Sequence, residues 1–184
     1  ALGELVKAGK VRHIGLSNET PWGVMEFVRC AEQLGLPRIV SIQNAYHLMN
    51  RTFEAGLAEV CHHSQVGLLA YSPLAFGWLS GKYLADPQAH GRITLFPGFG
   101  QRYNKPNVPT AAQEYVRIAG DIGISPATLA LAFARTRRFT GSVIVGATTL
   151  QQLQEDLASA QVILSEDTLA DIEAVHQRYP NPAP

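Results

Sequence analysis

Four short apolar runs in this chain end on residues able to hold a ligand: Ser17-Asn18, Gln43-Asn44, Tyr71-Ser72 and Gly146-Ala147-Thr148. They supply carboxamides, hydroxyls, a phenol ring and bare backbone N–H groups. None of these is a good acid, base or nucleophile near neutral pH, since an ordinary phenol titrates at about pH 10. Their chemistry suits recognition: amides can pair with a planar carboxamide, an aromatic face can stack on a ring, and backbone N–H groups can cradle phosphate. Thr149-Leu150-Gln151-Gln152 has capping-box spacing, so a helix starting just after Gly146 would point free N–H groups and a positive dipole end toward an anion. Each fragment also has an ordinary reading. Tyr71-Ser72-Pro73 reads equally as a strand ending in a turn, Gln43-Asn44 as a satisfied loop pair, and Lys82 as a solvated lysine. The functional reading gains weight because all four groups close successive strands. His62 and His63 share a helix and diverge, so no metal site is predicted, and the Arg135, Arg137, Arg138 cluster reads as a solvated helix end.

The elements that must position these groups alternate between strand and helix. Leu2, Leu5 and Val6 follow helical spacing up to Gly9, and Val11 to Ser17 reads as a strand. Thr20 caps a helix from Pro21 through Leu34, with Val24, Phe27, Val28 and Ala31 on one face. Ile39 to Gln43 is a strand, Phe53 to His63 a helix, and Val66 to Tyr71 a strand of the continuous apolar kind found in parallel sheets. From Leu74 to Pro109 the chain is dense in Gly and Pro, and residues 84–109 read as a lid-like loop because Phe96, Phe99 and Tyr103 argue against disorder. Helices follow over Thr110 to Ile122 and Pro126 to Arg135, then a strand over Ser142 to Val145 and a helix from Leu150 to Ala158. Ser165 caps a last helix to about Gln177, and residues 180–184 read as a tail. This rhythm predicts a parallel α/β class, with an eight-stranded (β/α) barrel as the natural completion of the four strands. The opening on a helix tail and the lack of an initiator Met predict sequence upstream of Ala1.

Composition narrows the field. The 184 residues are 46% hydrophobic and 16% charged, enough for one sizeable core. Fifteen basic and fifteen acidic residues cancel, so neither nucleic acid nor an anionic membrane is predicted as a partner. Cys30 and Cys61 fall beside apolar residues in predicted helices, which fits reduced core thiols. No apolar run approaches the roughly 18 residues of a membrane span, and a cytoplasmic location is expected.

Three runs carry a family resemblance: Gly9-Lys10-Val11-Arg12-His13-Ile14-Gly15-Leu16-Ser17-Asn18, Tyr71-Ser72-Pro73-Leu74-Ala75-Phe76-Gly77-Trp78-Leu79-Ser80-Gly81-Lys82-Tyr83, and Gly146-Ala147-Thr148-Thr149-Leu150-Gln151-Gln152-Leu153-Gln154-Glu155-Asp156. In order and spacing they resemble the aldo-keto reductase superfamily, and within it the bacterial Tas-like NADP(H)-dependent reductases related to potassium-channel β subunits. The resemblance implies the C-terminal half of a (β/α)8 TIM barrel, strands 5 to 8 plus an extra C-terminal helix, so that residues 1–184 form one partial domain truncated at the N-terminus. It implies that Ser17, Asn18 and Gln43 hold a nicotinamide carboxamide and that Tyr71 stacks on the nicotinamide ring. Ser72, Leu74, Gly77 and Lys82 would lie along the pyrophosphate, and Arg92, with Arg102 as a competitor, would reach the adenosine 2′-phosphate. Gly146, Thr148, Gln152, Glu155 and Asp156 would form the adenosine side, although Asp156 stands where the family often has asparagine. The family's catalytic Asp-Tyr-Lys-His set lies in the first half of the barrel, and no position here matches it.

The implied function is reduction of aldehydes or ketones with NADP(H), completed by the missing N-terminal half, with this chain inactive alone. The implied alternative is a noncatalytic NADP(H)-binding regulatory module. Two unpaired strand edges and an open apolar interior predict that the isolated chain self-associates, as a homo-oligomer or an aggregate, or stays partly molten.

Overall fold

Four short strands, β1 (Ile14–Ser17), β2 (Ile39–Ala45), β3 (Gly67–Tyr71) and β4 (Thr140–Val143), lie side by side in chain order, every neighbouring pair parallel. The computed structural model describes residues 1–96 and 98–184; Pro97, within the expected lid, lies outside the described residues. Parallel neighbours need crossovers. After α1 (Leu2–Lys7), the helix α2 (Pro21–Leu34) joins β1 to β2 and α3 (Leu57–Ser64) joins β2 to β3. Between β3 and β4 run the short α4 (Lys82–Ala85) and α5 (Arg92–Leu95) and the longer α6 (Asn107–Asp121) and α7 (Pro126–Thr136). After β4 come α8 (Leu150–Ala158) and α9 (Glu166–Arg178). The parallel α/β class read from the strand–helix rhythm is the one observed.

Local chemistry explains the helix ends. The Thr20 side chain accepts from Gly23 N with Pro21 at the first helical position, and Gly35 closes α2 in the left-handed region at φ 62°. Ser125 and Ser165 cap α7 and α9 in the same way. The core lies where β2 and β3 bury Ile42, Leu68 and Ala70 against α7, whose residues Ala127 to Ala134 are all buried. Among the described residues no single helix is long and apolar enough to cross a membrane, and α6 and α7 meet at a 95° bend. Cys61 is buried, which pushes its thiol up to about 11, and both cysteines are free.

Several boundaries differ from the sequence reading, each for a local reason. Val11 stays outside β1 because its N–H bonds back to Leu5 O at the end of α1. The helix expected from Phe53 begins with a 3-10 turn over Thr52–Glu54 and starts properly after Gly56, at φ 96°. β4 starts two residues early at Thr140, pairing Thr140 with Leu68, and Gly141 lies beside Gly67. Pro109 does not delay α6, since proline is tolerated in a first helical turn. The expected lid holds α4, α5 and a 3-10 turn over Gln101–Tyr103. Of its three aromatic residues only Tyr103 is buried.

The expected tail is instead docked. Asn181 Oδ1 accepts from Arg51 N at 2.6 Å, Ala183 N donates to Met49 O at 3.0 Å, and Ala183 is fully buried. Arg51, itself 7% exposed, pairs with Glu54 through Nε at 2.9 Å and Nη2 at 2.8 Å, and with Glu173 of α9 through Nη1 at 2.8 Å. Glu54 also accepts from the buried Tyr46 hydroxyl.

This cluster makes the fold acid-sensitive. Burial works to raise Glu54, but hydrogen bonds from Arg51 and Tyr46 outweigh it and leave the carboxyl below its ordinary 4.5; Glu173 is lowered chiefly by its Arg51 hydrogen bond. Burial and then the Arg51 charge lower His176 from 6.5. All three titrate lower when folded, so their stabilisation is present above the unfolded values and is lost as pH falls through the folded ones. The melting temperature should therefore drop from about pH 6 toward about pH 3.5, and Glu173→Gln should flatten that slope in thermal melts followed by circular dichroism. A slope identical in the variant would exclude Glu173 as a contributor.

Candidate functional site

Because the strands are parallel, their carboxyl ends share one edge of the sheet, and there the side chains connect. Asn18 stands in the left-handed region at φ 52°, a conformation asparagine tolerates better than most residues. Its N–H reaches both Gln43 O at 3.1 Å and Asn44 Oδ1 at 2.8 Å. Ser17 Oγ donates to Gln43 O at 3.1 Å, and the Tyr71 hydroxyl donates to Asn18 Oδ1 at 3.0 Å. Ser17, Asn18, Gln43 and Tyr71 thus form one polar surface spanning three strand ends, with the Gln43 side chain exposed and Tyr71 half-buried. Asn44 positions Asn18 from within β2. In the sequence it reads as half of an ordinary loop pair; the signal for its role is its place beside Gln43 on the opposite face of the strand.

Beyond Tyr71 the backbone is unusually strained. Ser72, Ala75 and Phe76 have φ of 55°, 47° and 57°, and Gly77 follows at 101°. Non-glycine residues held there cluster at ligand sites, where surrounding structure must enforce them. Ala75 N bonds Ser72 O and Gly77 N bonds Leu74 O, each at 2.8 Å, which coils residues 72–77 into a tight turn. Gly77 is favoured by its φ, and a Cβ there would sit 2.7 Å from Lys82 Cε, whose flexible end can swing aside, and 3.2 Å from the Tyr83 ring, which is buried and has less room to move. Lys82 Nζ donates to His90 O at 3.2 Å and lies 5.0 Å from the Tyr83 ring centre, so its ammonium is held over the same turn.

Phe76, missed by the sequence reading as a site residue, organises the lid. Its ring stacks on Phe99 at 5.3 Å, meets Tyr103 at 4.7 Å and carries the Arg92 guanidinium at 5.1 Å. Between this lid and Tyr71-Ser72 lies a cavity of about 380 Å³, with Arg102 on its wall. Arg92 and Arg102 therefore both belong to the lid, Arg92 against Phe76 and Arg102 at the cavity.

On the far side, Ile144 N bonds Ala70 O at 2.8 Å, so the chain leaving β4 emerges beside Tyr71. The predicted capping box forms: Gln152 N donates to Thr149 Oγ1 at 3.2 Å, while Gln152 Oε1 accepts from Thr148 N at 2.9 Å and Thr149 N at 3.3 Å. Gly146 stands open, since a Cβ placed on it would meet nothing within 4 Å. Thr148, two residues past Gly146, is hydrogen-bonded to Gln152, whereas Glu155 and Asp156, expected beside them, have other surroundings. Glu155 accepts from Ser125, the cap of α7, and Asp156 is buried, its carboxyl raised by loss of solvent and then by the Glu155 charge. Among the described residues no group of three or more His, Cys, Asp or Glu is placed to hold a metal.

The turn yields a direct test. Gly77→Ala should lower the unfolding free energy by about 1–3 kcal/mol, from backbone strain and crowding of the Tyr83 ring. Gly9→Ala, at φ 68° with open space around it, should cost about 1 kcal/mol. Urea unfolding of both variants checks the order, and equal costs would remove the steric contribution assigned to Gly77.

Comparison with known proteins finds relatives along the whole chain. The aldo/keto reductase family model matches residues 1–177. The chain is 52% identical over 185 residues to the protein tas of Escherichia coli (strain K12), covering 100% of this chain and 53% of that protein. It is 37% identical over 190 residues to an aldo-keto reductase of Babesia bovis, covering 99% and 67% respectively. Against the L-glyceraldehyde 3-phosphate reductase of Escherichia coli O157:H7 the identity is 30% over 180 residues, covering 94% and 51%. The chain thus spans about half the length of the first and third of these relatives. Matched by the family over almost its whole length, the chain belongs to the aldo/keto reductases.

Proposed function

We propose that this chain is the cofactor-holding half of an NADP(H)-dependent oxidoreductase, which in its complete form reduces a small aldehyde or ketone by hydride transfer. The observation that carries the reading is the Tyr71–Asn18 hydrogen bond beside the strained 72–77 turn and Lys82. A half-buried ring, exposed carboxamides and an ammonium over a turn held at positive φ fit a planar carboxamide linked to phosphate. The cofactor would supply the hydride. Tyr71 would cover one face of its ring and leave the other open, while Ser17, Asn18 and Gln43 would fix the carboxamide. Lys82 and the backbone at Ser72, Leu74 and Gly77 would neutralise the pyrophosphate, and Arg92 the 2′-phosphate. Gly146, Thr148 and Gln152 would meet the adenosine, and Glu155 and Asp156 would need to turn from their present partners to join them.

The proton for the carbonyl oxygen would come from outside this chain. A phenol acting as acid near neutral pH needs its pKa brought down. Burial instead pushes Tyr46, Tyr103 and Tyr115 upward. In this reading β1 to β4 are strands 5 to 8 of an eight-stranded barrel, and the two sheet edges, β1 and β4, receive the other half. Leu150 at 71%, Leu157 at 64% and Ile163 at 90% exposure would then be covered by it.

Titration with NADPH followed by protein fluorescence tests the proposal. Saturable binding is expected, weakened about tenfold or more by Tyr71→Ala through loss of stacking. Carbonyl reduction should appear only when the upstream half is supplied. No saturable change, or a neutral Tyr71→Ala, would overturn the reading.

A further inference from the structure

The C-terminal segment 180–183 is placed to act on the strand-end surface through one intervening loop, residues 46–51. That loop follows directly on Gln43 and Asn44, and its first residue, Tyr46, donates its N–H to Tyr71 O at 3.4 Å. The Tyr46 ring is fully buried, stacked on Phe133 at 6.1 Å and edge-on to Phe139 at 5.3 Å. His47 and Asn50 bridge each other, with N···O distances of 3.0 and 2.8 Å, and Met49 N donates to His47 Nδ1 at 3.2 Å. The His47 ring lies 6.0 Å from Tyr103, the buried residue of the lid. The loop therefore touches both halves of the candidate nicotinamide end, its amides through β2 and its lid through Tyr103.

What holds the loop comes from far along the chain. The Tyr115 hydroxyl of α6 donates to Leu48 O at 3.1 Å. Ala183 N donates to Met49 O, Asn181 Oδ1 accepts from Arg51 N, and Glu173 pairs with the Arg51 guanidinium. Asn181, past the end of α9 at Arg178, sits in the left-handed region at φ 47° with its carboxamide oxygen on Arg51 N. Without this segment, Met49 O and Arg51 N would lose their partners in a buried setting, and buried backbone groups left unpaired drive local rearrangement.

We propose that residues 180–183 are a positioning strap: by pinning loop 46–51 they hold Gln43, Asn44 and Tyr103 in the geometry that receives the nicotinamide end of the cofactor. Asn181 and Arg51 are its positioning residues, and neither touches the cofactor. The proposal rests on the NADP(H) reading above.

The test uses the full-length protein with Asn181→Gly, which keeps the left-handed backbone and removes the acceptor, Asn181→Asp, which restores an acceptor, and a form ending after Tyr179. Amide hydrogen exchange is read over residues 45–51 and 98–103, and binding is measured for NADPH and for 2′,5′-ADP, which carries only the adenosine half. Asn181→Gly and the shortened form should exchange about tenfold faster in both segments and bind NADPH about tenfold more weakly, with 2′,5′-ADP changed less than about twofold. Asn181→Asp should recover most of both losses. Unchanged exchange in Asn181→Gly overturns the strap whatever happens to binding, and equal weakening of NADPH and 2′,5′-ADP overturns its action on the nicotinamide end. If the shortened form does not fold, Asn181→Gly decides alone. Failure of the unsubstituted protein to bind NADPH would sink the cofactor reading instead, a result visible before any variant is made.

Discussion

Because β1, β2, β3 and β4 run parallel, every polar group that closes a strand is delivered to the same edge of the sheet. The hydrogen bond from Tyr71 to Asn18 spans that edge from the end of β3 to the end of β1, with Asn44 of β2 bonded to the Asn18 N–H between them. Three elements separated by dozens of residues thereby share one small polar surface. The same pairing demands a crossover after each strand, and α2, α3 and α7 supply the apolar cover that keeps the strands in place. The polar edge and the stability of the sheet are therefore not independent, since β2 and β3 carry apolar residues in the core and polar groups at their ends.

Much of this is legible in the sequence because the signals are local. Thr20 with Pro21, Ser125 with Pro126, and Thr149 with Gln152 each announce a helix start through a side chain and a backbone N–H within one turn. The strand ends are legible for a related reason, since apolar runs stop where carboxamides and hydroxyls begin. What escapes depends on distant partners. Nothing near Gly141 says that it must lie against Gly67, and nothing near Pro180 says that Asn181 will meet Arg51. Phe76 reads as one more residue of a Gly-rich turn until Phe99, Tyr103 and Arg92 gather on its ring. Glu155 and Asp156 take their expected roles from a family pattern, whereas their placement here follows from Ser125 and from burial.

The Arg51 cluster shows how one charge can order remote segments. A guanidinium that is 7% exposed needs its donors filled, and Glu54, Glu173 and the aromatic face of Phe133 fill its surroundings from three directions. Removing any one carboxylate leaves a buried charge less well paired, so the loop, α9 and the C-terminal segment are held to a common geometry. Such a cluster adds little or nothing in stability over an apolar core of equal volume, so its part here is to set how these segments are arranged rather than how stable they are.

That distinction bears on the division of labour within the fold. Residues that recognise a flat ring and phosphate need fixed positions but no unusual protonation, and strand ends with rigid turns provide this. A proton donor needs the opposite environment, a phenol or acid brought toward neutral pH by neighbouring cations. Tyr46, Tyr103 and Tyr115 are shifted the wrong way, because burial removes water from their hydroxyls. Tyr71 sits at the site half-buried with its hydroxyl committed to Asn18, and Tyr103 lines the cavity beside it. The packing that holds the scaffold together thus works against proton donation by Tyr46, Tyr103 and Tyr115, while the strand ends keep their amides and hydroxyls in fixed positions.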